Sequence, residues 1–550
     1  MEKPEAPPTK SGGYKKIIAI VVVIIVIAGI GIGVYEFTHP VKKTVYFYTW
    51  WATEGKIAFN KEAKAFEAAH PGYVVEPTIK AGAGGTAAKG AILALIKEGH
   101  PPATFQTHLG PEILSYISAA PHKAGSFVKL NSAASSINLT TSTAFPQVLL
   151  AGTYNGSMYS LPVDMHQGAQ LYLNPQVLAA NHLPIPLNFT ALMNDTAALK
   201  AKGVTPWIIP GNDGGWDQMQ NWEDTFLALD NAAYGNGTLY DEFMYGTHNL
   251  SNPAVSHLVS KTNSNFLTMQ NNSYNGEASM TWTQAIPKVV GKNVAFEANG
   301  NWYVNYAYDY LNTTTYPANS TYVYMNNGTL KPAAHNIKLM SMDFPGTSKY
   351  FVLVSDSAAV PSGSTSANGL TFAKFFASYS GQKAFTKWKA ATFYNNITTN
   401  YYNTPSQWAS YQQAKADANT PSDWLYQLSD GGLFDGPFST MITDMLSLAS
   451  TPTSSGIHSW DHSLSGILST EQAEWKTANT LGLGFMGTLS HPFGGYLPPW
   501  AGSNTPSTAA VDNATHNSNT QALNNSSSIY YIVAPFIALF LGSLIMGDKR

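Results

Sequence analysis

Two apolar runs of 18 residues bracket the chain: Ile17–Val34, uninterrupted, near one end, and Ile529–Met546, broken by Pro535, Gly542 and Ser543, near the other. Runs of about this length reach across the hydrocarbon core of a bilayer. Each therefore reads as a transmembrane helix, with a body between them that folds on one side of the membrane. Lys10, Lys15 and Lys16 precede the first run, and Lys549 and Arg550 follow the second. Positive charge marks the cytoplasmic flank. This places residues 1–16 in a cytoplasmic tail, 17–34 and 529–546 in the membrane, and the body outside the cytoplasm. The first run has a second reading, a cleaved signal peptide, but no A-x-A cleavage site follows it, which favours a retained anchor. Fourteen N-x-S/T sequons, from Asn138 to Asn525, all lie between the two runs, as acceptors for glycans on an external glycoprotein would. Ser503–Ser528 holds 17 Ser, Thr, Asn or Gln among its 26 residues. It reads as a linker too polar to bury a core.

Charge and cysteine content exclude much chemistry. Only 11% of residues are charged, against about 25% in ordinary domains. Arg550 is the single arginine. A nucleic-acid partner is excluded on this ground, since phosphate recognition leans on dense Lys and Arg. The absence of cysteine removes thiolate nucleophiles, redox pairs and thiolate metal sites. No HExxH, GxSxG or EF-hand pattern is present, and His100 and His108 lack a third ligand at useful spacing. Gly82–Gly85 (GAGG) is followed by no Walker lysine and reads as a turn. No catalytic constellation, cofactor or metal is expected. The 13 Trp, 30 Tyr and 25 Phe suit a neutral polyhydroxylated ligand, whose C–H faces stack on rings.

The body opens with alternating patterns. Thr44–Thr49 is β-branched and aromatic, a strand signal. Glu54–Ala69 places Phe59, Ala63 and Phe66 on one helical face, and Pro71-Gly72 stops it. Tyr73–Ile79 reads as a strand, Ala87–Lys97 as a helix and Ala103–Gln106 as a third strand. This βαβαβ order predicts a parallel sheet flanked by helices. Ligands sit beyond the carboxyl ends of such strands, where Trp50-Trp51 and Gln106-Thr107-His108 stand.

Nine segments in order carry a family resemblance: TWWATEGK (49–56), EAAHPGYVVE (67–76), KEGHPPATFQTHLG (97–110), YNGSMYSLPVDMHQGAQLYLN (154–174), LPIPLNFTALMNDTAALKAKGVTPW (183–207), NWEDTFLAL (221–229), TWTQAIPKVVGKNVAFEANGNW (281–302), FPGTSKYFVLVSDSAAVPSG (344–363) and ASYSGQKAFTKWKAATF (377–393). Together they resemble the sugar-binding receptors of ABC importers, especially the glucose-binding branch of the extracellular solute-binding family. The resemblance implies a two-lobe α/β fold with a hinge, of the periplasmic-binding-protein type. It assigns residues 44–160 and 344–500 to the first lobe with a C-terminal extension wrapping it, and 161–343 to the second. It implies a neutral mono- or short oligosaccharide as ligand, an ABC permease as membrane partner, and no enzymatic activity. Four positions depart from the family pattern: Lys56 where a glutamate is usual, Gln167 for arginine, Asn301 for aspartate and Ser362 for lysine.

On this resemblance the ligand-binding candidates are Trp50, Trp51, Glu54, Gln106, His108, His166, Trp222, Trp282, Asn301, Trp302 and Asp356, with Trp216 a further aromatic in the same region. Trp rings would stack on a sugar face, and amide, imidazole and carboxylate groups would bond its hydroxyls. Gln106 and His108 alternate on one extended segment and so face one side. His166 falls at the expected hinge. Two other classes compete. A surface glycosidase needs two carboxylates about 5–9.5 Å apart, and Glu54 and Asp356 lie on unrelated loops. A structural surface glycoprotein would show repeats, which are not visible.

Overall fold

Burial in strand β1 (Lys43–Thr49) alternates at its start and becomes continuous towards its end, as in the centre of a sheet covered on both faces. A computed structural model of the protein describes residues 20–26, 42–53, 55–81, 85–110, 112–154, 156–235, 237, 239–240, 253–318, 331, 336–420, 423–427 and 429. β2 (Tyr73–Ile79) and β3 (Thr104–His108) run parallel to β1 on either side of it. The βαβαβ expectation holds, with helices Lys56–Ala69 and Thr86–Lys97 as the crossovers. Phe59 and Phe66 of the first helix are buried, and Phe59 stacks on Phe47 of β1 at 5.1 Å. Phe372 and Phe376 of helix Ser366–Ala377 complete this aromatic core.

The chain then forms a short hairpin, β4 (Thr153–Tyr154) with β5 (Ser157–Met158), followed by β6 (Ser160–Pro162), β7 (His166–Gln167) and β8 (Gln170–Leu173). Later come β9 (Phe296–Asn299), β10 (Tyr316–Pro317), β11 (Met340–Asp343), β12 (Phe351–Val354), β13 (Asp356–Ala359) and β14 (Trp424–Tyr426). Two main sheets result. The first has the order β2-β1-β3-β13-β6, and the second β10-β11-β8-β9. Helices Trp216–Tyr234 and Pro253–Gln270 pack together in the second lobe, where β9 contacts the former.

The hinge is a small sheet of its own, ordered β14-β12-β7. β7 and β12 carry the chain between the two main sheets, and they pair antiparallel through Gln167–Leu353 and His166–Val354. Gln167 clamps them, accepting from the Val352 N–H at 2.6 Å and donating to the Tyr350 carbonyl at 3.0 Å. β6 belongs to the first sheet, so the crossing begins after Pro162 rather than at residue 161. The C-terminal extension, expected to wrap the first lobe, touches both lobes in its described part: Gln407 donates to the Thr386 and Ala390 carbonyls, and Tyr411 stands 5.8 Å from Phe145. Helix Pro405–Asp417 packs on β10 of the second sheet and on β12 of the hinge, and Ser341 of β11 donates to Ser406 at 2.7 Å.

Residues 20–26 are helical and exposed, and among the described residues no helix is long and apolar enough to cross a membrane. The remainder of both apolar runs, the linker 503–528, residues 430–500 and the candidate Glu54 lie outside the described residues.

Candidate functional site

The first sheet delivers polar groups to one edge. β13 runs antiparallel to β3, so its first residue, Asp356, pairs with the last residue of β3, His108. Trp50 follows the end of β1, the neighbour of β3. These three side chains therefore meet where the carboxyl ends of β1 and β3 open. They line a cavity of about 90 Å³ together with Trp51, His166, Trp216, Trp282, Trp302, Val354 and Lys389.

The aromatic side of the cavity has a local cause. Trp216, Trp282 and Trp302 are each the first residue of a helix. The turn before each helix aims the ring outward from the helix end. Gly214 and Gly215 precede Trp216 at positive φ of 70° and 80°. A capping box between Thr281 and Gln284 starts the helix of Trp282, whose backbone N–H donates to Asp213 at 2.7 Å. Trp302 folds back over Gly300, where an added Cβ would come within 2.1 Å of its ring. Only glycine permits that approach. Trp302 stands 5.3 Å from Trp216 and meets His166 edge-on at 5.0 Å. Across from them Trp50 lies 5.1 Å from His108. Trp51, 2% exposed, mostly packs inward against Phe385 at 5.0 Å.

The polar side is a chain of alternating charge, in a protein poor in charge. Lys89 pairs with Glu112 at 2.9 Å, and Glu112 with His108 Nδ1 at 2.8 Å. His108 Nε2 faces Asp356 at 3.9 Å. Lys389 Nζ lies 3.6 Å from Asp356, 3.9 Å from Asp164 and 3.2 Å from His166 Nε2. His166 Nε2 also reaches Asp164 at 3.2 Å, while its Nδ1 bonds Asn301 Oδ1 at 2.7 Å. Burial pushes the Asp356 carboxyl up, but Lys389 and then His166 and His108 outweigh it and hold the group ionised, well below the usual carboxylate range. Glu112 is likewise lowered, because Lys89 and His108 overcome burial. Burial and Lys389 disfavour the charged form of His166, yet Asp164 and Asp356 win and raise it to about 9.

Gln106 and Asn301 stand behind the cavity wall. Gln106 is fully buried and donates to Asp356 Oδ1 at 2.8 Å, while its carbonyl accepts from Thr49 and from the Trp50 N–H. It orients Asp356 and Trp50. Asn301, also fully buried, orients His166. Trp222 is not brought to the cavity. It stacks on Phe226 at 5.4 Å and donates to Asn263 at 2.8 Å inside the second lobe. Six residues along one helix from Trp216, it points about 240° away round the axis. Sequence reasoning missed Lys389, Asp164, Glu112 and Lys89.

Asp164, His166 and Asp356 bring ligand atoms within 4.8 Å of one another, a spacing a metal ion could use. The Lys389 ammonium already supplies the positive charge at that place. A larger cavity of about 350 Å³ lies between β11 and helix Pro405–Asp417. It gathers no tryptophan, and Asp343 is its one charged group.

Comparison with known proteins agrees with this architecture. The family model described as bacterial extracellular solute-binding protein matches residues 51–378. The chain is 41% identical over 507 residues to the glucose-binding protein GlcS of Saccharolobus solfataricus, covering 92% of this chain and 86% of that one. Among solved structures, a chitin oligosaccharide binding protein superposes with a TM-score of 0.60 at 15% identity, over 78% of this chain and 99% of its own. The bacterial solute receptor AcbH, whose substrate preference is β-D-galactopyranose, gives 0.59 at 15% identity over the same shares. These structural likenesses establish the two-lobe α/β fold. The family match spans more than half of the chain and the 41% identity extends over nearly all of it, so the chain belongs to the bacterial extracellular solute-binding protein family.

Proposed function

We propose that this protein is an external sugar receptor that hands a neutral mono- or short oligosaccharide to an ABC importer. One observation carries the reading: a cavity where tryptophans from both lobes face a rim of Asp356, His108, His166 and Lys389. Rings offer faces to sugar C–H groups, and the rim offers both donors and acceptors to hydroxyls. The name of the GlcS relative, a glucose-binding protein, points the same way. A ligand touching residues of both lobes favours the closed arrangement. Asp356 is held ionised by Lys389, so it is a poor general acid, and this supports binding without turnover. Calorimetry of the detergent-solubilised chain against a panel of neutral aldoses and short oligosaccharides tests the reading, with chromatography of the recovered ligand. Unchanged sugar, bound in the micromolar range or tighter, is expected. No heat with any sugar, or appearance of hydrolysed product, would overturn it.

The apolar runs 17–34 and 529–546, with lysines on their outer flanks, support anchoring by both ends with the body outside. Glycosylation fits that placement. All six sequon asparagines among the described residues, Asn138, Asn188, Asn194, Asn271, Asn312 and Asn396, are exposed. By contrast Asn174, Asn221, Asn263, Asn299, Asn301 and Asn305, none in a sequon, are buried. Glycopeptide mass spectrometry of the native protein should find added hexose mass on several of the six. Unmodified peptides at all six positions would reject the glycoprotein reading.

A further inference from the structure

No motif draws attention to Lys389, one lysine in the run KAFTKWKAATF. Yet its side chain is 3% exposed and borders the cavity. Burying an ammonium is costly unless opposite charge surrounds it. Here Asp356 and Asp164 lie at 3.6 and 3.9 Å, and the Trp51 ring lies beneath the cation at 5.9 Å. The next residue, Ala390, is held at a left-handed φ of 60°, a conformation unfavourable for any residue with a Cβ. It is secured across the cleft, where its N–H donates to Asn305 of the second-lobe helix at 2.8 Å. The backbone thus fixes the ammonium at this place.

Without that ammonium, Asp164 and Asp356 would have only His166, at 3.2 and 3.8 Å, between them, and one carboxylate charge would be left over beside tryptophan rings. Such a site draws cations: carboxylates supply the charge and ring faces add cation–π attraction. We infer that Lys389 is a specificity-determining residue, which reserves the cavity for neutral sugars and turns away their amino counterparts. Its ammonium fills the cationic position that a protonated amino sugar would otherwise take, and repels a second positive charge placed next to it. The same N–H groups remain able to donate to a neutral hydroxyl. This inference rests on the sugar-receptor reading.

The test uses the full-length protein in detergent and three probe pairs: glucose with glucosamine, galactose with galactosamine, mannose with mannosamine. Affinities are measured in mildly acidic buffer, where the amino groups are protonated. In the wild type, the neutral member of the bound pair should win by about tenfold or more. In Lys389→Met the neutral sugar should weaken, while the ratio of neutral to amino sugar falls by about tenfold or inverts. Lys389→Gln, which keeps a donor but no charge, should lower the ratio in the same way. A purely structural lysine would weaken both members equally, so an unchanged ratio in folded variants overturns the assignment. Equal binding of neutral and amino sugar by the wild type overturns it without any variant. If the wild type binds no neutral sugar at all, the receptor reading itself fails. If it binds one and the ratio does not move, only the role of Lys389 fails.

Discussion

Asp356→Ala is expected to destabilise the protein by about 3–5 kcal/mol, the scale for removing one partner of a buried ionic cluster, and to abolish ligand binding. Asp356 is 4% exposed and faces three basic groups, Lys389, His166 and His108, while accepting a hydrogen bond from Gln106. Truncation leaves those cations with less opposite charge and strands the Gln106 amide. Asp356→Asn separates the two contributions, since the amide keeps an acceptor for Gln106 and the shape of the side chain but loses the charge. Most of the destabilisation should persist in Asp356→Asn at neutral pH. It should shrink as pH rises through about 9, where His166 sheds its proton. Chemical denaturation of the three proteins reads this directly, and an Asp356→Asn protein as stable as wild type would show that the charge contributes nothing.

Thermal stability should be greatest in mild acid and fall by several degrees as pH rises towards 8. Burial lifts the carboxyls of Asp195 and Asp343 to about 6, and burial with the charges of Asp423 and Asp343 lifts Asp417 to about 7. Glu62 and Glu297, fully buried, are pushed well above the ordinary range. In the unfolded chain such groups titrate near about 4. Between those values the folded state binds more protons, so stability is fully present below about 4 and is lost as pH climbs through 6 and 7. His166, raised to about 9, acts in the same direction at higher pH. Glu112 and Asp356 act oppositely: their carboxyls are lowered, and their contribution disappears only as pH drops below about 4. The optimum should therefore fall between about pH 4 and 6. Glu62→Gln offers a control, because neither carboxylate oxygen of Glu62 has a hydrogen-bond partner and an amide there removes one titration. A melting temperature that rises from pH 5 to 8 would contradict this account.

The opening of the body, Thr44–Gln106, was legible because parallel βαβ units declare themselves through period and breakers. β13 was not. Its sequence, Asp-Ser-Ala-Ala, carries no β-branched or aromatic signal, yet it lies between β3 and β6 in the first sheet. What makes it a strand is pairing with distant chain. Family segments located Trp302, His108 and Asp356, whereas Trp222 and Trp216 share a helix and only geometry tells which ring faces the cleft. Lys389 left no trace, since the residue that fixes its backbone is an alanine at a conformation usually signalled by glycine.

The first sheet takes β1 and β3 from the start of the chain and β13 from more than 240 residues later, and Lys389 arrives later still. A ribosome-bound chain that has emerged only as far as the second lobe carries Trp50, His108 and Trp302 but neither Asp356 nor Lys389. It also lacks β12, the strand against which β7 forms the hinge. With the proposed site, recognition would therefore switch on late in biosynthesis. A nascent body passing outward through the membrane would travel blind to cytoplasmic sugar, and would first become competent to capture ligand on the side where the family works.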